Sequence, residues 1–238
     1  MTSVQTYARL AGVLFLISFV GGSFGEFYVP TKLIATGNPA ATVNNILTHE
    51  TLFRFGFAGY LMEALCDVML AWVLYVLLRP VHRNLALLSA FLGLISTALF
   101  AVCEMFFFSA PILLGKATYM QSFSPEQVDS LIYFFIRIYG YGAALFMVFY
   151  GSASAIRGYL MYRSGYLPRF LGVLLGIVGV AFILKNLTLI LAPAYSSDFL
   201  LAPAPLTILV LTVWFLVKGV DVEKWNARTA AVAGASEP

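Results

Sequence analysis

Seven ionisable side chains sit where the amino-acid sequence is otherwise apolar: Glu26, Glu63, Asp67 and Glu104 among the acids, and Arg54, Arg137 and Lys185 among the bases. An isolated charge at mid-bilayer costs about 2.5–3.5 kcal/mol on insertion scales. Seven such charges must therefore face inward, pair with one another or line a wet cavity. Glu63 and Asp67 are four residues apart, which puts both on one helix face, where two carboxylates hold a cation or share a proton. Arg137 and Lys185 offer the opposite chemistry, a grip on an anionic group. Tyr141, one turn beyond Arg137, can donate to a carboxylate or a ligand oxygen. Arg54 differs from the rest because Glu50, four residues earlier, is a local partner.

Familiar catalytic templates are missing. The two histidines, His49 and His82, fall in connections between apolar runs. They share no face and belong to no His-Glu-x-x-His pattern, so a histidine-rich metal site and a bis-histidine haem are both excluded. No metal and no cofactor is expected. Glu63 with Asp67, or Glu63 with Glu104 across two helices, remain as carboxylate pairs for acid–base work. Cys66 and Cys103 both lie inside apolar runs and read as buried thiols.

Composition sets what must hold these groups. The chain has 238 residues, 61% hydrophobic and only 11% charged, with a net charge of +3. Its mean hydropathy is +0.90. Soluble domains carry about 25% charge, so a soluble enzyme, a nucleic-acid binder and a disordered chain are all excluded. The fold class is all-α, a polytopic transmembrane bundle whose direct partners are membrane lipids.

A span needs about 20 apolar residues to cross a core about 30 Å thick. Six runs qualify: 10–29, 52–78, 85–114, 131–156, 170–191 and 199–217. The first lacks an Ala-x-Ala-like cleavage site and reads as a retained helix. With six spans, Arg9, Arg79, Arg83, Arg157, Arg163, Arg169, Lys218, Lys224 and Arg228 fall on one side, and Lys32 and Lys116 on the other. Positive-inside bias then puts both termini in the cytoplasm of a bacterium, with the spans in its inner membrane. Residues 1–228 form one domain, and 229–238 read as a disordered tail.

The connections carry local signals. Residues 40–47 read as a short surface helix in the first outer connection. Ser124, Pro125 and Gln127 match a capping box that starts the fourth helix early. Gly172, Gly176 and Gly179 form a close-packing seam in the fifth span. Pro203 and Pro205 either occupy a first turn of the sixth or break it. At ~1.5 Å per residue, Arg137 and Lys185 fall about 10 Å from the outer ends of their spans, Glu104 about 15 Å, and Glu63 near the midplane. The layout describes a polar chamber open to the outer side and tapering toward Asp67, with Glu26 near its mouth.

Several segments resemble an uncharacterised bacterial family of small multi-pass membrane proteins, domain of unknown function family 4386. They are Tyr7-Ala-Arg-Leu-Ala-Gly12 before the first span, Glu63-Ala-Leu-Cys-Asp67 within the second, the basic link Arg79-Pro-Val-His-Arg-Asn84, and Leu167-Pro-Arg169 before the glycine seam. The similarity covers roughly residues 5–220. It implies the multi-pass fold and brings no activity. Three functions stay open. A binding or transport protein would hold a small amphiphilic or zwitterionic molecule between Arg137 or Lys185 and the carboxylates. A membrane enzyme would use Glu63 or Glu104 as acid or base on a lipid-like substrate. A structural protein would use the charges only to knit helices, through pairs such as Glu104 with Arg137 or Lys185.

Overall fold

A computed structural model of the protein describes residues 3–115 and 121–234. Six helical spans among them are long and apolar enough to cross a membrane, and the fold is an all-α polytopic membrane bundle. Helix α1 (Val4–Gly22) runs through a wider π-helical turn (Ser23–Tyr28) into α2 (Val29–Leu33) as one continuous span. Helix α3 (Pro39–Thr48) lies in the connection between the first two spans, where the sequence places a surface helix. Then follow α4 (Glu50–Leu78), α5 (Arg83–Phe107) continued by α6 (Ser109–Leu113), α7 (Pro125–Ser164), α8 (Arg169–Leu191), α9 (Pro203–Val217) and α10 (Val222–Gly234).

Local chemistry fixes the ends. The Asn38 side chain accepts from the Ala41 N–H at 3.0 Å and caps α3. The capping box at Ser124 forms: the Ser124 N–H donates to Gln127 at 2.8 Å, and the Gln127 N–H donates to the Ser124 hydroxyl. It satisfies two otherwise orphaned N–H groups. Helix α7 stops at Gly165, whose φ of +76° is one that side chains with a Cβ rarely adopt. Pro203 opens α9 and Pro205 stays in its first turn, so neither breaks the helix.

Helix α7 departs from its hydropathy run. It spans 40 residues, about 60 Å at ~1.5 Å per residue. Its first turns pack on α3, and its last turns carry Arg157 inside the bundle. Arg157 is therefore a buried helical residue and not a loop charge. Lys116, on the other side of the charge comparison, lies outside the described residues. The chain stays helical through Gly234, past the boundary that composition draws at Arg228, while 235–238 lie outside the described residues.

The spans pack in a ring: α1 on α4, α4 on α5, α5 on α7, α7 on α8, α8 on α9, and α9 back on α1. At one end Gln5 donates to the Lys218 carbonyl at 2.8 Å and accepts from the Val220 N–H at 3.1 Å. At the same end Tyr166 and Trp225 both donate to the Leu77 carbonyl. Both ends of the described chain thus meet at the basic end of the bundle.

Two main apolar cores divide the interior. The inner one gathers Leu14, Phe15, Leu70, Leu74, Leu160, Leu171 and Phe215. The outer one gathers Phe53, Tyr60, Phe100, Phe107, Ile132 and Phe146. On α1 the two cores leave Ser18 and Gly22 between them, and Glu26 follows in the π-helical turn. On α4 they leave Glu63 and Asp67, on α5 Ser89, Gly93 and Ser96, and on α7 Tyr150, Ser154 and Arg157. A polar belt therefore crosses the ring between two greasy layers.

Candidate functional site

The belt is built on a close approach of α1 and α4. A Cβ on Gly21 would stand 2.9 Å from the Gly59 carbonyl oxygen, so only glycine lets the two backbones meet. One step along, the Glu63 carboxyl group rests on Gly22, where a Cβ would come within 2.6–2.8 Å of its atoms. One turn inward, Ser18 donates to Asp67 at 3.2 Å. One turn outward from Gly22, the π-helical turn presents Glu26. The Ser18–Gly22–Glu26 column thus lies along the Asp67–Glu63 column, and the four-residue spacing of Glu63 and Asp67 does put them on one face.

Helix α5 adds Glu104, only 4% exposed, on the face that also carries Phe100 and Phe107. Both of its carboxyl oxygens lack a hydrogen-bond partner, as does the buried Oε2 of Glu63. Aromatic rings wall this part of the belt. The Tyr60 ring meets Phe100 and Phe107 edge-on at 5.9 and 5.5 Å, and Tyr139 donates to the Tyr60 hydroxyl at 3.1 Å. Glu26, Glu63, Asp67 and Glu104 lie within electrostatic reach of one another as a connected set.

The belt's cation is Arg157. It is 6% exposed and donates to the Ser89 carbonyl at 3.3 Å. Its guanidinium fills the space where Gly93 lacks a side chain, next to Ala71, which is one turn inward of Asp67 on α4. Its Nε has no partner. Arg157 thus sits one turn below Asp67 without pairing with it. Tyr150, packed edge-on against Phe182 at 5.8 Å, lies near both.

The other expected members stand apart. Arg137 is exposed, and its guanidinium lies 5.6 Å from the centre of the Tyr141 ring, itself 52% exposed. The cause is facing: Arg137 and Tyr141, one turn apart, lie on an exposed face of α7, while Ile132 and Ile136 face the bundle. The tyrosine ring gives the guanidinium a cation–π partner there. Lys185 pairs with Asp198 of the connection between α8 and α9 at 3.3 Å. Arg54 pairs with Glu50 at 2.7 Å, as their spacing requires. Among the described residues, neither Arg137 nor Lys185 forms an ion pair with Glu104.

A sequence match decides the family: its model, a domain of unknown function (DUF4386), covers residues 10–219. The chain belongs to the DUF4386 family. An uncharacterized protein of Archaeoglobus fulgidus is 27% identical over 133 residues, 56% of this chain and 66% of that protein's own length. No solved structure matches. The matched DUF4386 region contains every residue of the belt, from Ser18 to Arg157.

Arg157 is what sequence reading misplaced, by assigning it to a turn between spans. A signal for Arg157 was present. Small residues continue past Ile156 to Gly158, and the turn signals Gly165 and Pro168 come only later. The helix had to run on, carrying Arg157 inside.

Proposed function

We propose that this DUF4386 protein binds a small amphiphilic or zwitterionic molecule in its polar belt and moves it across a bacterial inner membrane, with both termini in the cytoplasm. Arg157 holds the anionic group. Glu63, Glu104, Asp67 and Glu26 hold the cationic group, and Tyr60, Tyr139 and Tyr150 line the path between them. This reassigns to Arg157 the role first given to Arg137, Lys185 and Tyr141, which stay at the periphery.

One observation carries the reading. Glu104 and Arg157 are each more than nine-tenths buried, have side-chain polar atoms without a protein partner, and do not pair: Arg157 meets Gly93 in the belt, and Glu104 lies about 16 Å further along α5, between Phe100 and Phe107. Buried polar groups in native proteins are nearly always satisfied, so such orphans call for a ligand, ion or water. Charges that only knit helices would pair, and these do not. An open surface groove of about 650 Å³ lies at the start of α4, lined by residues including Leu47, His49, Glu50 and Phe55. It reaches Phe24 in the same π-helical turn as Glu26.

Native mass spectrometry of the purified protein tests this. A stoichiometric small molecule is expected on the wild type and absent from Glu104→Gln and Arg157→Gln. A bare wild-type mass, together with no thermal stabilisation by any member of an amine, betaine and phospholipid panel, overturns the reading.

A further inference from the structure

We infer that Glu26, Glu63 and Glu104 exchange a bound proton for the cationic group of the ligand, and that this group is an alkylammonium. The inference rests on the site proposed above and names the chemistry at its outer half.

The basic side chains on the elements packed around these acids are engaged elsewhere. On α2, Lys32 lies over the Tyr28 ring. On α4, Arg54 pairs with Glu50, and the other charge is Asp67, also acidic and held by Ser18. On α7, Arg137 stacks on Tyr141, and Arg157 stands inward of Asp67 against Ser89 and Gly93. On α8, Lys185 pairs with Asp198. The remaining titratable neighbours, Tyr60, Tyr139, Tyr150 and Cys103, carry no positive charge. Among the described residues no basic side chain forms an ion pair with Glu26, Glu63 or Glu104. A carboxyl group at this depth holds either a proton or a cation brought from outside. Those two states define an exchange.

Aromatic rings flank the acid. Phe100 and Phe107 stand on either side of Glu104 along α5 and pack with Tyr60 and Tyr139, ring centres 5.2–6.0 Å apart. Aromatic rings beside an acid recognise alkylated ammonium groups through the ring quadrupole. A metal ion would need several oxygen ligands at short range. No such cluster of acids, cysteines or histidines occurs among the described residues.

The step balances simply. A neutral carboxylic acid and an alkylammonium give a carboxylate–ammonium pair and one proton released to the outer solution. No bond to the ligand forms or breaks.

The test uses octyltrimethylammonium, whose fixed charge means that any proton released comes from the protein. Full-length protein in a neutral detergent is titrated by equilibrium dialysis, and by a pH indicator in weak buffer. Saturable binding with about one proton released per cation is expected, and affinity rises about tenfold per pH unit by linkage. Glu63→Gln or Glu104→Gln reduces the release. Glu104→Asp, which keeps the acid, retains it, and Arg54→Gln changes nothing. Saturable binding without proton release, or release that persists in both glutamine variants, overturns the exchange and leaves the site standing. Saturable binding of octyl sulfobetaine but not of octyltrimethylammonium also overturns the inference alone. Saturable binding of neither overturns the inference and the proposed site together.

Discussion

Two helix pairs in this bundle use glycine in the same way and to opposite ends. Between α7 and α8, Gly158 faces Gly172 and Gly176, and Gly151 faces Gly179, with backbone against backbone. Between α1 and α4, Gly21 meets Gly59 and Gly25 meets Gly56, but Gly22 meets the Glu63 carboxyl group. Close approach fills the first gap with dispersion contacts alone. In the second it clamps an acid beside an acid. One pair is built for stability, and the other stores electrostatic cost at a place that a ligand can relieve. Replacing a glycine of the dry seam and replacing a charge of the belt should therefore have opposite signs.

The largest effect falls on the dry seam. A Cβ on Gly172 would run into the Tyr162 N–H and the Gly158 carbonyl, which are backbone atoms that cannot swing away. Gly172→Ala should destabilise by about 3 kcal/mol through overpacking, read as a lowered melting temperature in detergent. A melting temperature within error of wild type would break the comparison at its simpler end.

The belt should respond the other way. Replacing a buried, incompletely paired charge with an apolar residue of similar length is often stabilising. Arg157→Met should therefore raise stability by about 1–2 kcal/mol and abolish ligand retention. Glu104→Gln should give a smaller gain, about 1 kcal/mol, because the amide still needs partners. If Arg157→Met instead melts well below wild type, Arg157 is a structural strut and the comparison loses its second half.

Gly22→Ala sharpens the point because its clash is with the end of a flexible side chain. It should cost about 1 kcal/mol, and Glu63→Ala in the same protein should recover most of that. Such non-additivity marks direct contact. Arg137→Ala, at the periphery, should stay within about 0.5 kcal/mol of wild type, as should Arg54→Gln, since exposed charges contribute little.

How far the sequence foretold this depends on the kind of feature. All six spans were legible because a run of about 20 apolar residues has one stable outcome in a bilayer. The Ser124 box and the Glu50–Arg54 pair were legible because each acts within four residues. Glu63 and Asp67 could be placed on one face for the same reason. Arg137 was misplaced because the spacing of Arg137 and Tyr141 shows that they share a face but not whether that face meets the neighbouring helices. Arg157 was missed because a basic residue after an apolar run looks like a loop, and only Gly93 and Ser89, on another helix, show where it goes. The ring order, and with it the choice of which acids meet, depends on contacts between distant spans that no local spacing encodes.

The smallest effect separates the ends of the molecule from its interior. Asp221 accepts from the Lys224 N–H at 3.1 Å and pairs with the Lys224 ammonium at 2.8 Å, at the start of α10. These contacts hold its carboxyl below the usual aspartate range. A lowered folded value means that the contribution is present above the ordinary aspartate range and is lost as pH falls through the lowered value. Acidification should therefore loosen α10. Trp225 should report it, since its indole N–H donates to the Leu77 carbonyl at 3.1 Å. Asp221→Asn should remove this low-pH fluorescence change and leave the ligand-linked proton release of the belt intact. If the variant altered proton release as well, the belt would be coupled to the inner end, and the contrast between its acids and the rest of the bundle would have to be redrawn.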